Sequence, residues 1–380
     1  MEKKLSGKNY FKVLTGVRAI AAYMVFLHHA NQDNHLHLPE FLYRYIMEFH
    51  TGVPVFFVLS GFLITYRYYD PSPISKSWLK EYIVNRIARI YPMFLILTIL
   101  TFGVNYYINH TSTDLFVAWS NLFFIKGFFN DLKFTGIAQG WSLTVEECFY
   151  FLAPFLFFIY TKRKKLFLMP VLFLAAGFIL VKVFGGNGFY GFMGNIQFML
   201  LYTFFGRCFE FLTGIYLAFY IKKLDLLNKM KRTGIRTTFW GIVSFCVVIS
   251  MMAYAASYQN LKYSVAGYTG LFINNICLPV CVGILFTGLI TEDSLIKRIL
   301  QTPLLQILGK SSYIFYLIHI GFISSLLNTY NMFNNGYLNI VWSFVILNII
   351  SVILFKVMEE PLNFYIRKCF AFRRILKPVF

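Results

Sequence analysis

Charge is what this chain has least of. Asp, Glu, Lys and Arg together supply 13% of its 380 residues, about half of the ~25% found in an average soluble protein. Carboxylates are the scarcest, 16 against 35 Lys and Arg. Too little polar surface remains to cover a soluble domain of useful size. The six cysteines (Cys148, Cys208, Cys246, Cys277, Cys281 and Cys369) show no metal-ligand spacing and mostly sit inside apolar stretches, so they read as small membrane hydrophobes, and no metal is expected. No internal repeat is visible, which argues against a transporter built on inverted repeats. The start, Met1-Glu2-Lys3-Lys4, leads into an apolar span without a small-residue cleavage site, so the first helix is expected to be retained.

What the chain has in abundance is apolar: 58% of residues are hydrophobic and 20% aromatic. Stretches near the roughly 20 residues needed to cross a 30 Å hydrocarbon core recur along its whole length. The pattern predicts an all-α, polytopic integral membrane bundle of about ten transmembrane helices, near 13–31, 51–68, 90–109, 140–160, 166–183, 198–221, 238–257, 270–290, 311–329 and 338–357. Residues 1–380 form one membrane domain. The segment 115–130 is apolar but broken by Asn121, Lys126 and Gly127, and is expected to be interfacial or re-entrant.

The net charge of +19 does not mark a nucleic-acid binder, because the basic residues cluster in alternate loops. With both termini cytoplasmic, 28 of the 35 fall on the inner side, five in outer loops, and Arg18 and Arg207 within spans. This satisfies the positive-inside rule. Residues 358–380 form a basic cytoplasmic tail suited to anionic headgroups.

Against this apolar background the exceptions carry the chemistry. Arg18 and His29 share the first span, where an ionisable group costs roughly 2.5 to 3.5 kcal/mol on insertion scales and therefore marks a functional site by default. They are eleven positions apart, close to three turns at 3.6 residues each, so both lie on one face. A second polar cluster, Gly140-Trp141-Ser142-Leu143-Thr144-Val145-Glu146-Glu147-Cys148-Phe149-Tyr150, opens the fourth span. With the first span running outward and the fourth inward, His29 and Glu146 fall at matching depth and could pair. Histidine is a competent base near its free pKa, and a carboxylate fixes its tautomer. Glu147 reads as an interfacial carboxylate.

Arg86 and Arg89, three apart at the cytoplasmic entry to the third span, match phosphate oxygens or simply anchor the membrane face. Ser60-Gly61 in the second span reads as a close helix approach rather than a nucleophile. Arg207 and Glu210 read as a structural ion pair. His319, in the ninth span, is either a hydrogen-bonded core residue or part of a cavity wall.

Taken in order, these motifs resemble the membrane acyltransferase-3 family, over nearly the whole chain. Its arginine, ten residues and histidine fall on Arg18 and His29; its Phe-Phe-x-Leu-Ser-Gly-Phe-Leu element falls on 56–63. Its Arg-x-x-Arg entry falls on Arg86 and Arg89, and its Trp-Ser-Leu-x-Val-Glu-x-x-Phe-Tyr element on Trp141 to Tyr150, with the family glutamate at Glu146. Segments at 207–214, 309–319 and Glu359-Glu360-Pro361 complete the series. Two departures stand out: Thr15 where the family often has Asp, and His28 directly before His29, able to take over some of its role.

The resemblance implies an O-acyltransferase of the cytoplasmic membrane, using an acyl-CoA, most often acetyl-CoA, to modify a hydroxyl of an envelope carbohydrate or its lipid-linked precursor. His29 is expected as general base or transient acyl carrier, with Glu146 orienting it, Arg18 stabilising negative charge or positioning the donor, and Arg86 and Arg89 holding donor phosphates. No further extracellular domain is expected after the last span, so this domain or a separate protein completes the transfer. The competing reading is a flippase for a lipid-linked glycan, which would release no CoA; a third is a non-catalytic scaffold.

Overall fold

A computed structural model describes residues 11–32, 37–186, 188–226, 235–329, 333 and 336–375. The basic clusters at 1–10, in part of 222–236 and at the end of the 358–380 tail lie outside the described residues. Helices make up almost all the rest: α1 (Lys12–Ala30), α2 (Glu40–Met47), α3 (Gly52–Tyr68), α4 (Lys76–Asn109), α5 (Leu115–Leu122), α6 (Trp141–Arg163), α7 (Met169–Phe184), α8 (Ile196–Tyr202) and α9 (Phe204–Leu226). They are followed by α10 (Arg236–Tyr258), α11 (Tyr268–Phe272), α12 (Leu278–Thr291), α13 (Leu295–Leu300), α14 (Pro303–Ile318), α15 (Phe322–Thr329), α16 (Gly336–Leu354) and α17 (Glu360–Ile375). Among the described residues there is no strand, only an isolated bridge between Phe129 and Phe192.

Among the described residues, eight helical stretches are long and apolar enough to cross a bilayer, at positions matching eight of the ten expected spans. Phe151, Phe155 and Phe158 on α6 and Val171, Leu172 and Ile179 on α7 are exposed, a surface that suits lipid rather than water. The other two expected spans differ. Helix α7 has 16 residues, a rise of about 24 Å. The stretch 311–329 is interrupted: α14 stops at Ile318, Gly321 takes φ +103°, and the chain resumes as α15. Hydropathy averaged over the stretch hides that break. The segment 115–130 contains the eight-residue α5 and a 3-10 turn at Lys126–Phe128, each too short to span as a helix.

The chain divides into two compact units. The first holds residues 1–28, 38–69 and 209–310. There the Ser60-Gly61 expectation is met: a Cβ on Gly61 would lie 2.2 Å from the carbonyl oxygen of Phe211, and one on Gly214 2.1 Å from that of Val58. Two backbones touch with no side chain between them. Helices α10 and α12 pack together, and Glu292 secures the start of α10, accepting from the Thr237 and Thr238 amides at 2.8 Å each and the Thr238 hydroxyl at 2.7 Å. Burial pushes this carboxyl up, but the bonds from Thr238 and Thr237 outweigh it and leave the group below its ordinary range.

Also in the first unit, buried Glu48 accepts from the Ser264 amide (2.8 Å) and hydroxyl (2.6 Å) and pairs with His50 at 3.1 Å. The His28 ring lies edge-on to His50 with centroids 5.4 Å apart, and its Nδ1 donates to the Met47 carbonyl at 2.7 Å. His28 is thus committed to a structural cluster.

The second unit holds residues 29–37, 70–208 and 311–380. The Ser75 hydroxyl accepts from the Trp78 amide at 3.1 Å, a helix N-cap. That cap starts α4 at Lys76, well before the expected entry at residue 90. Helix α17, built from much of the basic tail, packs along α4. Between α5 and α6, Lys126 is buried and donates to the carbonyls of Thr135 and Ile137 at 2.6 and 2.5 Å. Burial lowers its pKa to about 7.

Candidate active site

The end of α14 organises the second unit's polar centre. The last carbonyls of any helix lack intrahelical partners, and here a side chain supplies them. Gln139, in the turn before α6, sends its amide nitrogen to the carbonyls of Tyr316 and Leu317, both at 2.7 Å. Ser142, one turn on, bonds the Tyr316 hydroxyl at 2.8 Å and donates to the Gln139 carbonyl at 2.9 Å. The Trp141-Ser142 motif therefore grips the broken helix directly.

His319 follows that break and is 3% exposed. Its Nδ1 lies 2.7 Å from the Tyr316 carbonyl oxygen. A carbonyl only accepts, so Nδ1 carries the proton and Nε2 keeps its lone pair. The His29 ring sits beside it, centroids 5.5 Å apart and tilted 40°, while His29 Nδ1 is 3.1 Å from the Gln32 amide nitrogen. The sequence left His319 open between core and cavity wall; the structure puts it against the expected catalytic histidine.

Glu146 accepts a hydrogen bond from the Tyr150 hydroxyl one turn along α6. Tyr150 links it onward: the Arg86 guanidinium stands 5.5 Å from its ring, and its carbonyl accepts from the Tyr82 hydroxyl at 2.8 Å. Glu146 and Arg207 both lie within electrostatic range of the Tyr316 hydroxyl. Glu147 is in range of Arg86, and Glu359, at the end of a π turn over Phe355–Glu359, is in range of Arg89. Tyr313 donates to the Ile90 carbonyl at 2.9 Å and feels Glu359, Glu146 and Glu147.

Thus His29, Glu146, Arg86 and Arg89 all belong to the second unit, arranged around α4, α6 and the end of α14. Arg86 is buried and Arg89 half-buried, so these are not loop residues on a loose cytoplasmic face. Arg18 belongs to the first unit's part of α1, and its Nε is buried with no partner among the described residues. Arg207 and Glu210 are both buried on α9. Gln139 and Tyr316 escaped the sequence reading, because the partners of Gln139 are backbone carbonyls far along the chain. Among the described residues no group of His, Cys, Asp or Glu is arranged to hold a metal. An open apolar groove of about 810 Å³ on α10, lined by Cys246, Val247, Ser250 and Tyr254 among others, contains none of the candidate residues.

Comparison with known proteins gives this geometry its context. The family described as Acyltransferase domain, the acyltransferase-3 group, matches residues 11–357. The O-acetyltransferase OatA of Staphylococcus aureus is 25% identical over 342 residues in strains NCTC 8325 and COL, covering 83% of this chain and 51% of the relative. A protein of strain COL that is a candidate O-acetyltransferase by name is 25% identical over 348 residues, 84% of this chain and 52% of its own. The chain spans about half the length of these curated relatives. No solved structure matches.

Proposed function

From the premise that the chain belongs to the acyltransferase-3 family, we propose that this membrane O-acyltransferase takes an acetyl group from acetyl-CoA and delivers it to a hydroxyl of an envelope polysaccharide or its lipid-linked precursor, at the cytoplasmic membrane. The observation that carries the reading is the convergence of His29, His319 and the Gln139–Ser142 grip on one helix break, in the unit that also holds Glu146 and the two arginines. A helix broken at membrane depth exposes backbone, which is tolerated where it is buried in protein or lines a cavity.

In this reading Arg86 and Arg89 hold the donor's phosphates, guanidinium forks being suited to them. Glu147 and Glu359 keep those forks aligned before the donor arrives. The pantetheine arm enters between helices, so the charged nucleotide never crosses hydrocarbon. His29 meets the thioester as nucleophile: its nitrogen bonds the acyl carbon as the carbon–sulfur bond breaks, and CoA leaves as the thiolate. Glu146 stabilises the imidazolium. The acyl group then passes to the acceptor oxygen.

The test is release of free CoA from acetyl-CoA by the purified protein in lipid. Wild type should turn over, His29→Ala should not, and the Arg86→Ala/Arg89→Ala double variant should keep turnover at saturating donor with a raised KM. No CoA release from any small acyl-CoA, with envelope glycan supplied, would favour the flippase.

A further inference from the structure

Acyl-His29 creates a need that His29 itself cannot meet: its reacting nitrogen is occupied when the acceptor hydroxyl attacks, so the hydroxyl proton requires another base. Resting on the function just proposed, we infer that His319 is a second catalytic residue, whose Nε2 receives the hydrogen bond and then the proton of the acceptor hydroxyl.

Three observations carry this. The tautomer is fixed, because Nδ1 is held at 2.7 Å by the Tyr316 carbonyl; Nε2 can act only as an acceptor. That Nε2 atom is fully buried and has no hydrogen-bond partner among the described residues. A buried polar atom without a partner costs roughly 1–3 kcal/mol and calls for an explanation. And the ring is beside His29, centroids 5.5 Å apart.

Gln139 sharpens the identity of what binds. Its amide nitrogen is spent on the Tyr316 and Leu317 carbonyls, which turns its Oε1 away as a second buried acceptor without a partner among the described residues. Gln139 and His319 donate to the same carbonyl oxygen, that of Tyr316, so these two acceptors share one locality. Two lone-pair sites with no opposing donor fit a neutral ligand rich in hydroxyl groups, such as a sugar with adjacent hydroxyls. They do not fit an anion.

The step balances. The acceptor oxygen bonds the acyl carbon, the carbon–nitrogen bond to His29 breaks with the electron pair returning to that nitrogen, and the hydroxyl proton passes to His319 Nε2. From there it is lost to water or to the departed thiolate.

Two half-reactions separate the histidines: exchange of labelled CoA into acetyl-CoA without acceptor, and acetyl transfer to methyl glucoside or, as an amine that needs no base, to hydroxylamine. His319→Ala should leave exchange and hydroxylamine transfer within about threefold of wild type. Transfer to the methyl glucoside should fall about 10²- to 10⁴-fold, the usual weight of a positioned base, and added imidazole should restore part of it. His29→Ala should lose all three. If His319→Ala does not fold, His319→Gln, which retains bulk, is read the same way. Unchanged glucoside transfer, or equal losses in all three assays by a folded variant, would overturn the assignment and leave Nε2 as the partner of a structural water. A wild type that transfers without exchange refutes the carrier role of His29 and, with it, the need for His319 as a second base, while leaving the acyltransferase activity itself standing. One with no acyl transfer at all refutes the proposed function, and this inference with it.

Discussion

Replacing Gln139 by leucine isolates the contact that shapes the broken helix. The substitution keeps bulk and removes two 2.7 Å hydrogen bonds to the carbonyls of Tyr316 and Leu317. Tyr316 retains His319 as a donor, so one carbonyl, that of Leu317, bears most of the loss. Polar contacts inside membrane proteins average about 0.6 kcal/mol each, which sets a lower bound near 1.2 kcal/mol for two. Leaving a buried carbonyl without its donor costs up to about 3 kcal/mol. The expected destabilisation is therefore about 1.2–3 kcal/mol, roughly an 8- to 160-fold shift in the unfolding equilibrium at the two ends of that bracket. Reversible unfolding of wild type and Gln139→Leu in mixed micelles of lipid and detergent measures it directly. Gln139→Glu is the control: its carboxylate has no hydrogens to give the carbonyls and should cost at least as much. A loss below about 0.3 kcal/mol in both variants would refute the view that Gln139 holds the end of α14.

Three further outcomes follow from other parts of the fold. In Glu292→Gln the charge-assisted cap of α10 is lost, at about 1.5–3 kcal/mol near neutrality. Because the folded carboxyl lies below its unfolded value, that contribution is present above the ordinary carboxylate pKa and fades as pH falls through the folded one, so acid unfolding curves of variant and wild type should converge. Lys126 gives a slope of the same sign in a higher pH window: with its pKa lowered to about 7, the unfolded chain binds more protons between that value and ~10.4, and stability rises with pH there by up to about 1.4 kcal/mol per unit. Lys126→Met should lack this rise, as thermal unfolding across pH 7 to 10 would show; a parallel profile would count against it. Gly214→Leu would drive a side chain into the backbone at Val58 and should cost about 1–3 kcal/mol or prevent insertion, whereas Gly283→Ala, whose Cβ would meet only Thr213 Cγ2 at 3.3 Å, should be tolerated within about 1 kcal/mol in the same unfolding assay.

Much of this was legible from residue type and spacing, for identifiable reasons. A charged or polar residue inside an apolar run has few structural excuses, so Arg18, His29 and Glu146 declared themselves. The small pair Ser60-Gly61 also leaves a plain trace, whereas its counterpart Gly214 emerges only from the structure. What averaging conceals is local geometry. The 311–329 stretch has the hydropathy of a continuous span, yet one glycine at positive φ and a histidine end the helix within it. Arg86 read as part of a membrane-face approach because the helical start at Lys76 depends on a single serine cap, a signal weaker than hydropathy. Gln139 was invisible for another reason: its partners are backbone carbonyls 177 and 178 residues away, and a carbonyl has no sequence signature. His28 looked like an understudy for His29, but adjacent residues on a helix point about 100° apart, and its ring is engaged with His50 instead.

Helix α4 runs for 34 residues, a length of about 51 Å against a hydrocarbon layer of about 30 Å. Even a steep tilt cannot hide the surplus, so several turns must stand clear of the oily layer as a mast. Helix α17 is lashed along that mast, and Arg86 and Arg89 are rooted partway up it, 10 and 13 residues above its foot at Lys76. Its basic foot, Lys76 and Lys80, and Arg86 and Arg89 above it therefore belong to one continuous helical segment, braced by a second helix.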